Sequence, residues 1–85
     1  MPYQVEFSPK AERQFRRLPR PVQVRLAPHI DALNKNPRPH GVKKLINREN
    51  MYRLRVGDYR VIYTVEDRAL LVLVAKIGDR TEVYR

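Results

Sequence analysis

Cysteine is absent from all 85 residues. That excludes a disulfide framework, a thiolate zinc site and a cysteine nucleophile, and it fits a reducing, cytoplasmic setting. Long apolar runs are missing as well. The longest, at 69–75, is far too short to cross a bilayer. No signal peptide is visible in the short, charged opening MPYQVEF, so no membrane association is expected. Repeats, low-complexity tracts and linkers are also lacking, and the length suits one modest core, so one domain over 1–85 is expected. The two histidines, His29 in a helical stretch and His40 in a Pro/Gly loop, make neither an acid–base pair nor a metal site of recognisable spacing.

Acidic residues are scarce. Nine Asp plus Glu stand against 18 Lys plus Arg, a formal net charge of +9. An excess of that sign attracts phosphate backbones or acidic proteins. Arginine outnumbers lysine, which favours fork-like recognition of phosphate over simple solvation. The apolar fraction of 42% is enough for a folded core.

The hydrophobic pattern predicts a β-α-α-β-β-β-β order. Alternation of Tyr3, Val5 and Phe7 reads as a half-buried strand over 3–7. Ser8-Pro9 supplies an N-cap and a first-turn proline for a helix with Ala11, Phe15 and Leu18 as its apolar stripe. Pro19 and Pro21 separate it from a second helix over 21–35, striped by Val22, Leu26, Ile30 and Leu33 and expected to kink at Pro28. A link that short implies an antiparallel helical hairpin. KKLIN (43–47) reads as a short strand or turn. Strands follow over 52–56, 59–65 and 70–77, with a short last one over 81–84. Helices first and strands later indicate an α+β, two-layer domain, with the helical hairpin on one face of a mainly antiparallel sheet.

The stretch MYRLRVGDYRVIY (51–63) carries the functional signal. A two-residue turn at Gly57-Asp58, of type II′, sets Val56 opposite Tyr59, Leu54 opposite Val61 and Tyr52 opposite Tyr63 on the helix side. The other, solvent-open side then holds Arg55 opposite Arg60 and Arg53 opposite Ile62. Like charges facing each other across a ladder cost stability, and a phosphate between them offsets that cost. The plain alternative is that each arginine pairs with a nearby carboxylate, among them Glu66, Asp67 or the turn aspartates.

YRLRVGDYRVIYTVED followed by LLVLVAKIGDRTEVY resembles the RelE/ParE family of toxins, encoded beside antitoxins. The resemblance runs nearly the whole chain, and GxYRVIY, an apolar strand and G-x-R-x-x-x-Y are its specific part. It implies a RelE-like fold and, for RelE-type members, an endoribonuclease that cuts mRNA in the ribosomal A site without a metal or other cofactor. Attack by a ribose 2′-hydroxyl on the adjacent phosphate leaves a 2′,3′-cyclic phosphate. Arg53 and Arg55 fall where the family has two basic residues, often lysines. Arg60 matches the phosphate-binding arginine, Arg80 the basic residue after the glycine, and Tyr84 the C-terminal tyrosine tied to proton transfer or base stacking. Arginine stays protonated at ordinary pH and is a poor base, which leaves Tyr84 as the proton-transfer candidate, its phenol lowered by the surrounding arginines. The implied partners are mRNA, the ribosome with its rRNA, and an acidic antitoxin with an amphipathic helix in a toxin–antitoxin hetero-oligomer. Many relatives continue past the tyrosine into a further helix, one place where antitoxins dock; the sequence here stops at Arg85. Two other readings stay open: a ParE-type inhibitor of DNA gyrase, and a nucleic-acid-binding relative without chemistry.

Overall fold

A computed structural model of the chain describes residues 2–46 and 49–79. Strand β1 (Gln4–Phe7) leads into helix α1 (Pro9–Arg17) and helix α2 (Arg20–Asp31), which closes in a 3₁₀ turn at Ala32–Asn34. Strands β2 (Lys43–Lys44), β3 (Met51–Val56), β4 (Tyr59–Glu66) and β5 (Leu71–Asp79) follow. The sheet order is β1-β5-β4-β3-β2, antiparallel except that β1 runs parallel to β5. This is the expected α+β, two-layer architecture. The expected last strand over 81–84 lies outside the described residues.

Local chemistry explains the elements. Ser8 caps α1, its Oγ accepting from the Ala11 N–H at 3.1 Å, and Pro9 opens the first turn. Gln23 of α2 donates its side-chain amide to the carbonyls of Phe15 and Leu18, satisfying the end of α1 across the two-residue link. The assigned helix α2 runs through Pro28, and the expected helical stretch to 35 tightens into the 3₁₀ turn after Asp31. The core lies between α1 and α2 and one face of the sheet. Leu26, Ile30 and Leu33 meet Leu54, Val56, Val61, Tyr63, Val65, Val72, Val74 and Ile77 there.

The β3–β4 register is the expected one at every pair from Tyr52↔Tyr63 to Val56↔Tyr59. Gly57 has φ +60°, and Asp58 has no positive φ, the pattern of a type II′ turn. Strand β5 carries a bulge that the alternation did not foresee. Ile62 pairs with Lys76 and Tyr63 with Val74, leaving Ala75 unmatched. The bulge resets the phase. Without it Val72, Val74 and Lys76 share a face, and a lysine enters the core; with it Ile77 turns inward and Lys76 outward. Helix α1 takes up the backbone groups released there. Ser8 Oγ donates to the Ala75 carbonyl at 3.2 Å, and the Ile77 N–H donates to Gln14 Oε1 at 2.8 Å.

Candidate functional site

On the face away from the helices, pairing lines up cationic positions in two rows. One runs Lys43, Arg53, Ile62, Lys76 across β2, β3, β4 and β5. The next runs Arg55, Arg60, Gly78 across β3, β4 and β5. Arg53, Arg55 and Arg60 are therefore brought to one side of one sheet. Arg80 and Tyr84 lie outside the described residues.

The side chains of the second row converge on the turn. Arg60 Nη1 donates to the Gly57 carbonyl at 3.3 Å and to the Tyr59 carbonyl at 3.2 Å. Arg55 Nε approaches the same Gly57 oxygen at 3.5 Å. One neutral oxygen thus gathers two guanidinium groups from facing strands. The two ion pairs formed between described residues, Arg16–Glu12 and Arg38–Asp67, lie elsewhere. Neither Arg55 nor Arg60 has a carboxylate partner among the described residues, so the plain alternative of local carboxylate pairing does not account for them.

The patch differs from expectation in one respect. A solvent-open face predicts exposed arginines, and Arg55 is exposed, but Arg60 is only 5% exposed and Ile62 likewise 5%. Strand β4 is central, so both residues have cross-strand neighbours on each side. Long stems at Arg53 and Lys76 flank Ile62 by register, and such stems shield apolar surface while their charged ends reach solvent. Arg60 cannot shed its charge, so its burial keeps a cation on a site that lacks a counter-charge among the described residues.

Lys43 and Lys76 were not singled out from the sequence. Lys76 carries a signal, being the charge that interrupts the apolar run of β5, but its facing depends on the bulge. Lys43 had only its place in a short lysine pair.

The opposite end of the sheet is electrostatically closed. Arg38 grips Asp67 with both terminal nitrogens, at 3.1 and 2.9 Å, and donates through Nε to the Tyr52 hydroxyl at 2.8 Å. Its guanidinium also stands 5.3 Å from the Tyr52 ring centre. Tyr3 donates to Asp67 at 2.6 Å. Arg38, and then Tyr3, hold the Asp67 carboxyl below the usual carboxylate range. The bond to Asp67 in turn raises the Tyr3 phenol. Tyr52 stacks on Tyr63, whose hydroxyl donates to the Pro37 carbonyl at 2.7 Å. Burial pushes the Tyr63 phenol up to about 12. Asp67, one of the carboxylates near the cationic strands in sequence, is thus committed to a loop arginine.

Comparison with known proteins gives this geometry a context. The model of the family described as ParE toxin of type II toxin-antitoxin system, parDE, matches residues 5–84. The chain belongs to the RelE/ParE toxin family. Toxin RelE of Mycobacterium tuberculosis is 31% identical over 85 residues, covering 99% of this chain and 88% of that protein. The mRNA interferase toxin RelE of Escherichia coli is 31% identical over 88 residues, covering 99% of this chain and 92% of the relative. Among solved structures, the archaeal RelE–RelB complex from Pyrococcus horikoshii matches with a TM-score of 0.82 at 30% identity, covering 94% of this chain and 97% of that one. The isolated E. coli RelE toxin matches with a TM-score of 0.82 at 28% identity, over 96% of this chain and 90% of that one. This RelE/ParE chain is accordingly a RelE-like toxin of a toxin–antitoxin system, the coarse reading that the sequence resemblance implied.

Proposed function

We propose that this RelE/ParE chain is a metal-independent endoribonuclease that cleaves mRNA in the ribosomal A site and is neutralised by an acidic antitoxin in the cytoplasm. The observation that carries the reading is the convergence of Arg55 and Arg60 on the Gly57 carbonyl, with Arg60 buried and neither paired to a described carboxylate. The name of the E. coli relative, mRNA interferase toxin, supports it.

In the proposed reaction a ribose 2′-oxygen attacks the neighbouring phosphorus and the bond to the 5′-oxygen breaks. The 2′-hydroxyl proton leaves to a base, and the departing 5′-oxygen gains one. The products are a 2′,3′-cyclic phosphate and a 5′-hydroxyl. Charge builds on the phosphoryl oxygens as the fifth bond forms. Guanidinium groups fixed in advance stabilise that charge with little reorganisation, the role assigned to Arg60, Arg55 and Arg53. Arg80 is assigned to the same charge and Tyr84 to proton transfer, both by resemblance. The ribosome aligns the substrate, which removes much of the entropic barrier.

A second reading has one observation in its favour. The matching family model is that of the ParE toxin, and the set of basic residues here is compatible with a gyrase inhibitor that keeps the same framework. Translation in a cell-free extract with mapping of mRNA ends separates the two. The nuclease reading expects cuts at ribosome-stalled codons, lost in Arg60→Ala and Tyr84→Phe. Intact mRNA together with inhibition of gyrase supercoiling would overturn it in favour of the second.

A further inference from the structure

Helix α2 brings a third guanidinium to the turn at Gly57. A Cβ built on Gly57 would lie 2.7 Å from Arg25 Nη2 and 3.5 Å from Arg25 Cζ, so the Arg25 head group lies directly against the turn. It arrives from the helix side, where Leu26 beside it anchors α2 in the core. Arg55 and Arg60 reach the Gly57 carbonyl from the other side of the sheet. Arg25 is exposed and, among the described residues, forms no hydrogen bond or ion pair. Asp58, the turn's own carboxylate, forms no ion pair with any of the three arginines. Three cations therefore flank one peptide unit with no ion-pair partner among the described residues, an arrangement that repels itself until an anion arrives.

We infer that Arg25 is a phosphate-binding residue and that a single-stranded ribonucleotide backbone bends over the tip of the β3–β4 hairpin, from Arg55 and Arg60 on the sheet face to Arg25 on the helix side. The inference rests on the nucleic-acid reading of the sheet face and extends it to a residue on a different layer of the fold. An extended polyanion suits the site because its charges repeat along a flexible chain, so one strand can engage guanidinium groups on both sides of a turn. Arginine favours phosphate here through its planar fork.

The test is binding of the full chain to a labelled oligouridylate over a range of salt concentrations, with melting curves confirming that each variant folds. Each lost phosphate contact lowers the slope of log affinity against log salt by about 0.7 for a single strand. Arg25→Gln and Arg55→Gln are each expected to lower the slope by about that amount, and Arg25→Lys to retain it. Arg13→Gln, an equal change of net charge on exposed α1, is expected to leave it unchanged. If Arg25→Gln behaves like Arg13→Gln while Arg55→Gln lowers the slope, the inference fails and the reading of the sheet face survives. If neither Arg25→Gln nor Arg55→Gln lowers it, both fail. Loss of polyglutamate binding in Arg25→Gln, with the oligouridylate slope intact, would assign the surface to an acidic protein and overturn the inference.

Discussion

Arg60 is 5% exposed and, among the described residues, bonded only to the carbonyl oxygens of Gly57 and Tyr59. It has given up most of its hydration without gaining a counter-charge among the described residues. Burial of a charge on such terms opposes folding, and replacing it with an apolar side chain of similar length is often neutral or stabilising. The carbonyls left behind retain some access to other donors, Arg55 in the case of Gly57. Arg60→Met is therefore expected to change the unfolding free energy by no more than about 1 kcal/mol, with a gain as readily as a loss. The same variant is expected to lower mRNA cleavage about a hundredfold or more, the usual cost of removing one preorganised donor to a developing charge. Denaturant unfolding and the end-mapping assay, run on one preparation, check both. A loss of several kcal/mol in stability would mean that Arg60 is a structural residue, and the reduced cleavage would then say nothing about chemistry.

At the scale of elements, the bulge in β5 and helix α1 form one unit. Ser8 serves both, capping α1 through the Ala11 N–H and donating to the bulged Ala75 carbonyl. Ser8→Ala removes two interactions and is expected to cost roughly 1–2 kcal/mol, measured as a lower denaturant midpoint at unchanged slope. Local signals made much of the fold legible. The cap at Ser8-Pro9 and the turn at Gly57-Asp58 each lie within a few residues, and the turn fixes the whole β3–β4 register. The parallel pairing of β1 with β5 joins Gln4 to Leu71, and nothing in either segment names the other. The bulge was illegible for a related reason, since it is met by the side chains of Ser8, the cap of α1, and of Gln14 within it, which reach the backbone only after folding. The facing of Lys76 follows from the bulge. The burial of Arg60 follows from β4 being central, a consequence of strand order and not of the residues around it in the sequence.

Across the whole molecule, the two ends of β4 have opposite electrostatic characters. They are about 25 Å apart along an eight-residue strand. At the Asp67 end every charged group of the network is answered: Arg38 by Asp67, Asp67 also by Tyr3, and Tyr52 by Arg38. At the Gly57 end Arg25, Arg55 and Arg60 have no carboxylate partner among the described residues. Neutralising one end concentrates the excess of +9 on the rest of the surface, which steers a polyanion toward it. The closed end should also govern alkaline stability. Tyr63 is fully buried, and burial raises its phenol from the ordinary value near 10 to about 12. The folded state therefore keeps a proton that the unfolded chain releases from about pH 10 upward. Its contribution is complete below pH 10 and is lost as pH rises toward 12, by roughly 2–3 kcal/mol over that interval. Tyr63→Phe removes the bond to the Pro37 carbonyl and is expected to cost about 1 kcal/mol at neutral pH. It also removes the titrating group, so between pH 10 and 12 the variant should lose stability less steeply than the parent and overtake it at about pH 11. Denaturant unfolding of both proteins at a series of alkaline pH values reads this difference directly. Parallel curves for parent and variant would show that the Tyr63 phenol titrates alike in the folded and unfolded chains, and that its burial is not what the closed end protects.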